Sequence, residues 1–280
     1  MLQTRSEKLA LVYHNITPSS YYLGNDPEFA AALQWGRHEL SLLQPLVSAA
    51  FADSQFNAED LAQYGYTDIV QLAAGVNPFR LKFEPTDSRL IGELHSHFPD
   101  GYILAVSQVI PHKRMELAIE AVHLLRTVHR LNVGLVIAGP QRNERYARDL
   151  AKLRSRLPEA NVLMMGETTE SQLATLYRAC AVYFGTSDHE GLAIPPLEAM
   201  AAGVPVVIRG TGAVPETVGD AALVAKPEAT ICELTEMLHA VLTNSRLRAT
   251  LVMRGREHVR NFYAQDTTQV FLEKINELAS

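Results

Sequence analysis

Ser187-Asp188-His189-Glu190-Gly191-Leu192-Ala193-Ile194-Pro195-Pro196-Leu197-Glu198-Ala199-Met200-Ala201-Ala202-Gly203-Val204-Pro205 is the stretch that decides the fold. It reads as a strand end, a loop of small residues and a helix that begins near Pro195, where proline is tolerated, and stops at Gly203 with Pro205 beyond. The free amides of such a helix start point back into the loop at the carboxyl ends of the strands, where an open α/β sheet receives ligands and a diphosphate is well accommodated. Glu190 falls in the loop and Glu198 about one turn into the helix, so two carboxylates can hold two ends of one ligand, accepting hydrogen bonds from sugar hydroxyls.

Outward from this segment, short apolar runs alternate with longer amphipathic stretches. YILAVS precedes a helical pattern at 113–129, VGLVIAG one at 142–157, NVLMMG one at 170–179 and AVYFGTS one at 195–202, with PVVI following. Continuous apolar strands alternating with helices predict βαβ units and a doubly wound parallel sheet, a Rossmann-like domain over 100–263. Met115, Ala118, Ile119, Val122 and Leu125 recur three and four apart and are read as packing.

Residues 1–85 are less regular. A strand in LALVYHN, a helix over 27–47, a short strand in AAFADS, a helix from Asn57 and a strand in DIVQLAAG predict about half of a doubly wound domain. The stretch 77–99, with three prolines and mixed charges, reads as the connection, with 86–99 as the linker proper. Residues 229–280 are helical in pattern with a break at 261–266, and 264–280 is expected to be a closing helix.

Composition excludes several classes. With 280 residues, 47% hydrophobic and 20% charged, the chain is globular rather than disordered. A net charge of −6 supplies no field for a nucleic-acid backbone, and no nucleic-acid partner is expected. Cys180 and Cys232 stand far apart, outside any zinc or disulfide spacing, which fits a reducing cytoplasm. The polar start carries no secretory signal, and nothing approaches the ~18 uninterrupted apolar residues of a membrane span.

The setting HEGLAIPPLEAMAAGVPVV, two glutamates separated by seven residues, resembles the signature of retaining glycosyltransferase family 4, whose GT-B fold is two facing Rossmann domains. The resemblance implies that Glu190 holds the hydroxyls of the donor sugar and Glu198 the ribose of the nucleotide, with the backbone of Gly191, Leu192, Ala193 and Ile194 facing sugar and diphosphate. The family often has glycine where Ala193 stands, so its methyl is expected to crowd the sugar or shape selectivity. ILAVSQVIPHKRMELAIEA resembles a second motif, in which Lys113 matches a diphosphate-binding lysine and Ser107-Gln108 replace a Gly-Arg pair. Gln108 can still donate a hydrogen bond, but half the positive charge of the cradle is gone. YHNITP, ADSQFNAEDL and AAGVNPFRL resemble the second half of the family's N-terminal domain and give His14 a cleft role.

Each of these residues also has a plain reading. Glu198 can serve the helix dipole, Lys113 can be a solvated lysine, and His14 can be a satisfied, partly buried histidine. Asp188-His189-Glu190 can be read as an acid-x-acid Mg2+ or Mn2+ site, but the resemblance implies no metal, with Lys113 and helix amides in place of a cation. His95 and His97 lack further ligands at suitable spacing.

The expectation is therefore a hexosyltransferase, with mannose the guessed sugar, that uses a GDP- or UDP-sugar donor, no other cofactor, and a glycan or lipid-linked acceptor in polysaccharide assembly. Catalysis is assigned to Glu190, Lys113 and His14. Two complete doubly wound domains of ~150 residues or more each do not fit in this length. The N-terminal sheet is thus expected to lack its founding strands, leaving an edge that a homodimer or a second chain could cover. The competing expectation is a donor-binding subunit that needs such a partner for catalysis.

Overall fold

The computed structural model describes residues 7–72, 77–264 and 267–279. The polar start at 1–6, the end of the strand read in DIVQLAAG with the opening of AAGVNPFRL (73–76), and the last two positions of the break at 261–266 lie outside them.

The first half is a three-stranded parallel sheet, β1 (Leu9–Tyr13), β2 (Val47–Ala52) and β3 (Ile69–Gln71), in the order β1-β2-β3. Helices α1 (Pro27–Leu43) and α2 (Gln55–Ala62) supply the right length of chain for parallel crossovers. Each helix start is specified locally: Asp26 accepts from the Phe29 amide with Pro27 in the first turn, and Ser54 accepts from the Asn57 amide. Among the described strands β1 pairs with β2 alone, and Val12 on it is 43% exposed.

The second half is a six-stranded parallel sheet in the order β6-β5-β4-β7-β8-β9. Its strands are β4 (Tyr102–Val106), β5 (Gly134–Ala138), β6 (Val162–Gly166), β7 (Val182–Gly185), β8 (Val206–Arg209) and β9 (Leu223–Ala225). Strands β5, β7 and β8 are buried along their whole length, the burial that continuous apolar runs predict for strands covered on both faces.

Helices α4 (Met115–Thr127), α5 (Glu144–Arg156) and α9 (Ile231–Thr243) share one core with one face of this sheet. Helices α6 (Glu170–Ala179), α7 (Ile194–Ala201) and α8 (Val214–Val218) share the core on the other. Helix α10 (Ser245–Tyr263) packs against α7, and α11 (Thr267–Ala279) crosses back to the first half, where Phe271 packs on Phe51 of β2.

Two elements depart from the sequence reading. The stretch taken as linker contains α3 (Ser88–His97), capped by Asp87, whose Leu90 and Leu94 recur four apart and pack with Phe98 and Tyr102 into the second core. Three prolines and two histidines mask that apolar stripe in the sequence. Strand β9 was missed because it is only three residues long and lies at the sheet edge with one buried side chain.

Candidate donor site

Sheet order reverses between β4 and β7, and the loops that follow those two strands diverge to opposite faces, opening a crevice at the carboxyl end. Two hydrogen bonds knit the loops together: Thr186 Oγ1 donates to the Lys113 carbonyl at 2.7 Å, and the Asp188 amide to the His112 carbonyl at 2.7 Å. Lys113 Nζ then meets Glu190 Oε1 at 2.7 Å, and Ser187 Oγ donates to the same oxygen at 2.6 Å. The two ionic side chains keep 15% and 18% of their surface, so the pair is sheltered but reachable.

The loop reaches its helix through Ala193, which sits in the left-handed region at φ 64° and carries no side-chain cap. Pro195 and Pro196 have no N–H, so the donors at this helix start are the amides of Gly191, Leu192, Ala193 and Ile194. None of these four amides donates to an acceptor among the described residues. The methyl of Ala193 is 4% exposed and belongs to the core of the second half. Glycine is favoured at such a position by its φ, and the methyl is packed into that core. Gly212 at φ 57° lets its backbone pass the Glu190 carbonyl, where a Cβ would stand 2.3 Å from that oxygen.

Glu198 lies in α7 and is 5% exposed. Arg80 Nε donates to its Oε1 at 2.6 Å and Tyr177 Oη to its Oε2 at 3.1 Å, while Arg80 also reaches Glu170 at 2.5 Å. A cavity of about 170 Å3 opens beside it between Phe79, Lys82 and Tyr177. Burial and the neighbouring Glu198 carboxylate push the Tyr177 phenol well above its ordinary pKa, so it remains a donor.

The first half closes on this loop. Ser54 Oγ donates to the Gly191 carbonyl at 2.7 Å, and a Cβ on Gly191 would lie 3.1 Å from the His14 carbonyl. His14 itself is largely exposed, with its Nδ1 2.7 Å from buried Asp53. His189 Nε2 meets Asn15 Oδ1 at 2.7 Å, and Tyr21 Oη donates to the Asp188 carbonyl at 3.2 Å. Below Leu192 a larger space of about 450 Å3 separates Asp53 and Gln71 from His258; Lys113 and both site glutamates lie outside it.

The structure thus brings Lys113, Glu190, Gly191, Leu192, Ala193, Ile194 and, across the cleft, His14 to one crevice, with Glu198 one turn along α7. Gln108 lies in the loop that follows β4. Its side chain is exposed and bonds to nothing among the described residues, and only its carbonyl is used, by Ser107 Oγ and the Ile110 amide. Asp188 is engaged by Arg114 at 2.6 Å and by Arg209, and Glu190 by Lys113, so the two carboxylates of Asp188-His189-Glu190 serve different cations.

Sequence reasoning missed Arg80, Tyr177, Ser187, Asp53 and His112. His112, next to Lys113, is buried against Tyr22, and burial followed by the Lys113 charge pulls its imidazole down to about 3, keeping it neutral.

Comparison with known proteins places this geometry. The sequence model described as "Glycosyl transferases group 1" matches residues 95–258. The serotype-specific mannosyltransferase WbdA of Escherichia coli is 25% identical over 97% of the chain, and the O-antigen chain mannosyltransferase B of Escherichia coli is 29% identical over 60% of it. The chain spans 34% and 44% of the length of these two relatives. Among solved structures, HepE of Anabaena in complex with UDP and glucose superposes with a TM-score of 0.76 at 19% identity, covering 97% of this chain and 71% of that one. The sucrose-phosphate synthase of Thermosynechococcus elongatus reaches 0.78 at 18%, covering 99% and 70%. The likeness establishes the GT-B fold, and with the match over more than half its length the chain belongs to the group 1 glycosyltransferases.

Proposed function

We propose that the chain binds a nucleoside-diphosphate sugar in the crevice between its halves and transfers the hexosyl group, with retention, to an acceptor hydroxyl in polysaccharide assembly. The observation that carries this reading is the Lys113–Glu190 pair at the sheet's reversal point, beneath four unused amides. As the sugar leaves, negative charge gathers on the diphosphate. Lys113 and the amides of Gly191 to Ile194 are pre-aimed donors for it, while Glu190, released from the lysine, accepts from sugar hydroxyls and holds the cationic sugar in place. Glu198, held by Arg80 and Tyr177, keeps lone pairs for the two ribose hydroxyls. His14 faces the same loop, with Asp53 fixing its ring.

Mannose is the favoured sugar because the relatives named above are mannosyltransferases, and GDP the favoured nucleotide. A Corynebacterium glutamicum relative, 31% identical over 55% of the chain, is GDP-mannose-dependent, whereas HepE holds UDP. The second reading, a donor-binding module that needs a partner to catalyse transfer, is favoured by the position of Gln108, exposed where the family places a cationic residue.

Calorimetric titration with GDP, UDP and GDP-mannose tests the site. Saturable binding weakened tenfold or more by Lys113→Ala and by Glu198→Ala is expected, with GDP ahead of UDP. A folded chain that binds none of the three overturns the proposal. Donor turnover lost in Glu190→Ala, with binding of GDP kept, separates transfer from mere binding; wild-type protein that binds but releases no nucleotide from GDP-mannose selects the second reading.

A further inference from the structure

At the far end of the second half, three potential ligands converge from two helices. Glu236 and His239 stand three apart on α9, and His129 lies just beyond the C-terminal end of α4, which packs against α9. His129 Nε2 is 3.0 Å from Glu236 Oε1, and His239 Nδ1 is 4.0 Å from Glu236 Oε2. The two imidazole rings stack with centroids 4.2 Å apart at 23°. One ligand atom from each of the three residues falls within 4.8 Å of the others, the one such grouping among the described residues.

We propose that His129, Glu236 and His239 form a binding site for a late first-row divalent cation of the Zn2+ class, clamping α9 to the end of α4. Two imidazoles and one carboxylate are the ligand set that Zn2+, Co2+ and Ni2+ take, whereas Mg2+ and Ca2+ prefer an all-oxygen shell. Three protein ligands leave room for water in a tetrahedral site, and the side chains supply that opening, being 18%, 64% and 33% exposed for His129, Glu236 and His239.

The backbone beneath is fixed. Arg130 takes the left-handed conformation at φ 59°, and the amides of Val128 and His129 return to the Leu124 carbonyl while that of Leu131 returns to Leu125, which pins His129 to the helix end. Val122, Leu125, Leu234, Leu238 and Val241 bury the inner faces of both helices. An ordinary surface ion pair accounts for His129 and Glu236 alone and leaves the second imidazole, His239, beside the same carboxylate. A shared cation satisfies all three groups at once.

The site is remote from the crevice. Lys113 lies at the start of α4 and His129 past its end, and thirteen residues of helix separate them by about 20 Å. Its role is a strut, and the inference stands whether or not the donor proposal does.

Protein stripped with a chelator and dialysed is titrated with ZnCl2 by calorimetry, and with CoCl2 by visible absorption. Wild type is expected to bind one equivalent of Zn2+ with micromolar affinity and to show the intensified d–d bands of four-coordinate Co2+. His129→Ala and His239→Ala, both at partly buried positions, are expected to weaken binding at least tenfold and to remove the rise in unfolding temperature that Zn2+ gives wild type. Glu236→Gln, which alters no shape, is expected to weaken it less. Wild type that takes up no Zn2+, or variants that bind it as tightly as wild type, overturns the proposal.

Discussion

Glu216, in α8 of the second half, caps the helix on which Phe56 lies in the first: its Oε1 accepts from the Phe56 amide at 2.9 Å and its Oε2 from the Gln55 amide at 2.8 Å. A carboxylate that satisfies two orphan amides of one helix from another domain binds the halves together by the same physics that caps a helix from within its own chain. The contact also sits beside the Ser54–Gly191 hydrogen bond, so closure of the cleft and order in the donor loop are joined.

Replacing this carboxylate should loosen the halves measurably. Side-chain capping is worth about 1 kcal/mol, and the exposure of Glu216 holds the expected loss for Glu216→Ala to about that or less. Glu216→Gln retains one acceptor oxygen and should lose less. Urea midpoints of the three proteins check this, and equal midpoints would show that the halves are held by other contacts.

Ala193 offers a test in which two comparable terms oppose each other. The left-handed conformation costs a non-glycine residue about 1–2 kcal/mol, while the buried methyl contributes about 0.8 kcal/mol. Ala193→Gly should therefore leave stability within about 1 kcal/mol of wild type and leave donor affinity unchanged, because the methyl faces the core. Ala193→Val, β-branched at positive φ, should cost about 2 kcal/mol or more. A large gain in donor affinity in Ala193→Gly would return the methyl to the sugar.

The parts legible in the sequence are those set by neighbours along the chain. Apolar runs gave β4, β5, β7 and β8, and the spacing of Glu190 and Glu198 around a Gly-x-x-x-Pro turn located the crevice, with Lys113 placed by its position after a strand. What escaped is set by contacts between distant segments. Arg80 reaches Glu198 across 118 positions, and Asp53 meets His14 across 39. His129 meets Glu236 from a different helix. No period or local spacing encodes such pairs, and α3 was hidden because prolines at both ends suggested a linker while its two buried apolar positions were too few to register.

His112 predicts how stability depends on pH. Its imidazole is pulled down from 6.5 to about 3 when folded, so between those values the unfolded chain binds a proton that the folded chain refuses. Stability from this group is complete above pH 6.5 and is lost as pH falls, by about 1.4 kcal/mol per unit at most. His112→Gln has no such proton to take up. Between pH 6 and pH 5 wild type should therefore lose about 1 kcal/mol more than the variant in urea denaturation, while the two should run parallel above pH 7; parallel behaviour at all pH values would mean that His112 charges freely in the folded state.

Arg80 and Glu198 form the pair on which the proposed nucleotide end of the site depends. Glu198 keeps only 4% of its side-chain surface, so its charge needs compensation, and Arg80 Nε at 2.6 Å is the one cation bonded to it among the described residues. Tyr177 donates a hydrogen bond but no charge. Arg80 is itself 39% exposed and shared with Glu170, which screens the pair and reduces what it contributes. Arg80→Ala should consequently cost about 1–3 kcal/mol, less than the loss of a fully buried partner, because it leaves the buried Glu198 carboxylate without a cation. The carboxylate then loses the partner that holds it toward the proposed ribose position, so GDP affinity should fall severalfold. Restoring the charge with Arg80→Lys should recover affinity without the bond to Glu170. Titrations of the three proteins with GDP decide the matter: an Arg80→Ala protein that binds GDP more tightly than wild type would show that Arg80 obstructs the ribose position rather than preparing it.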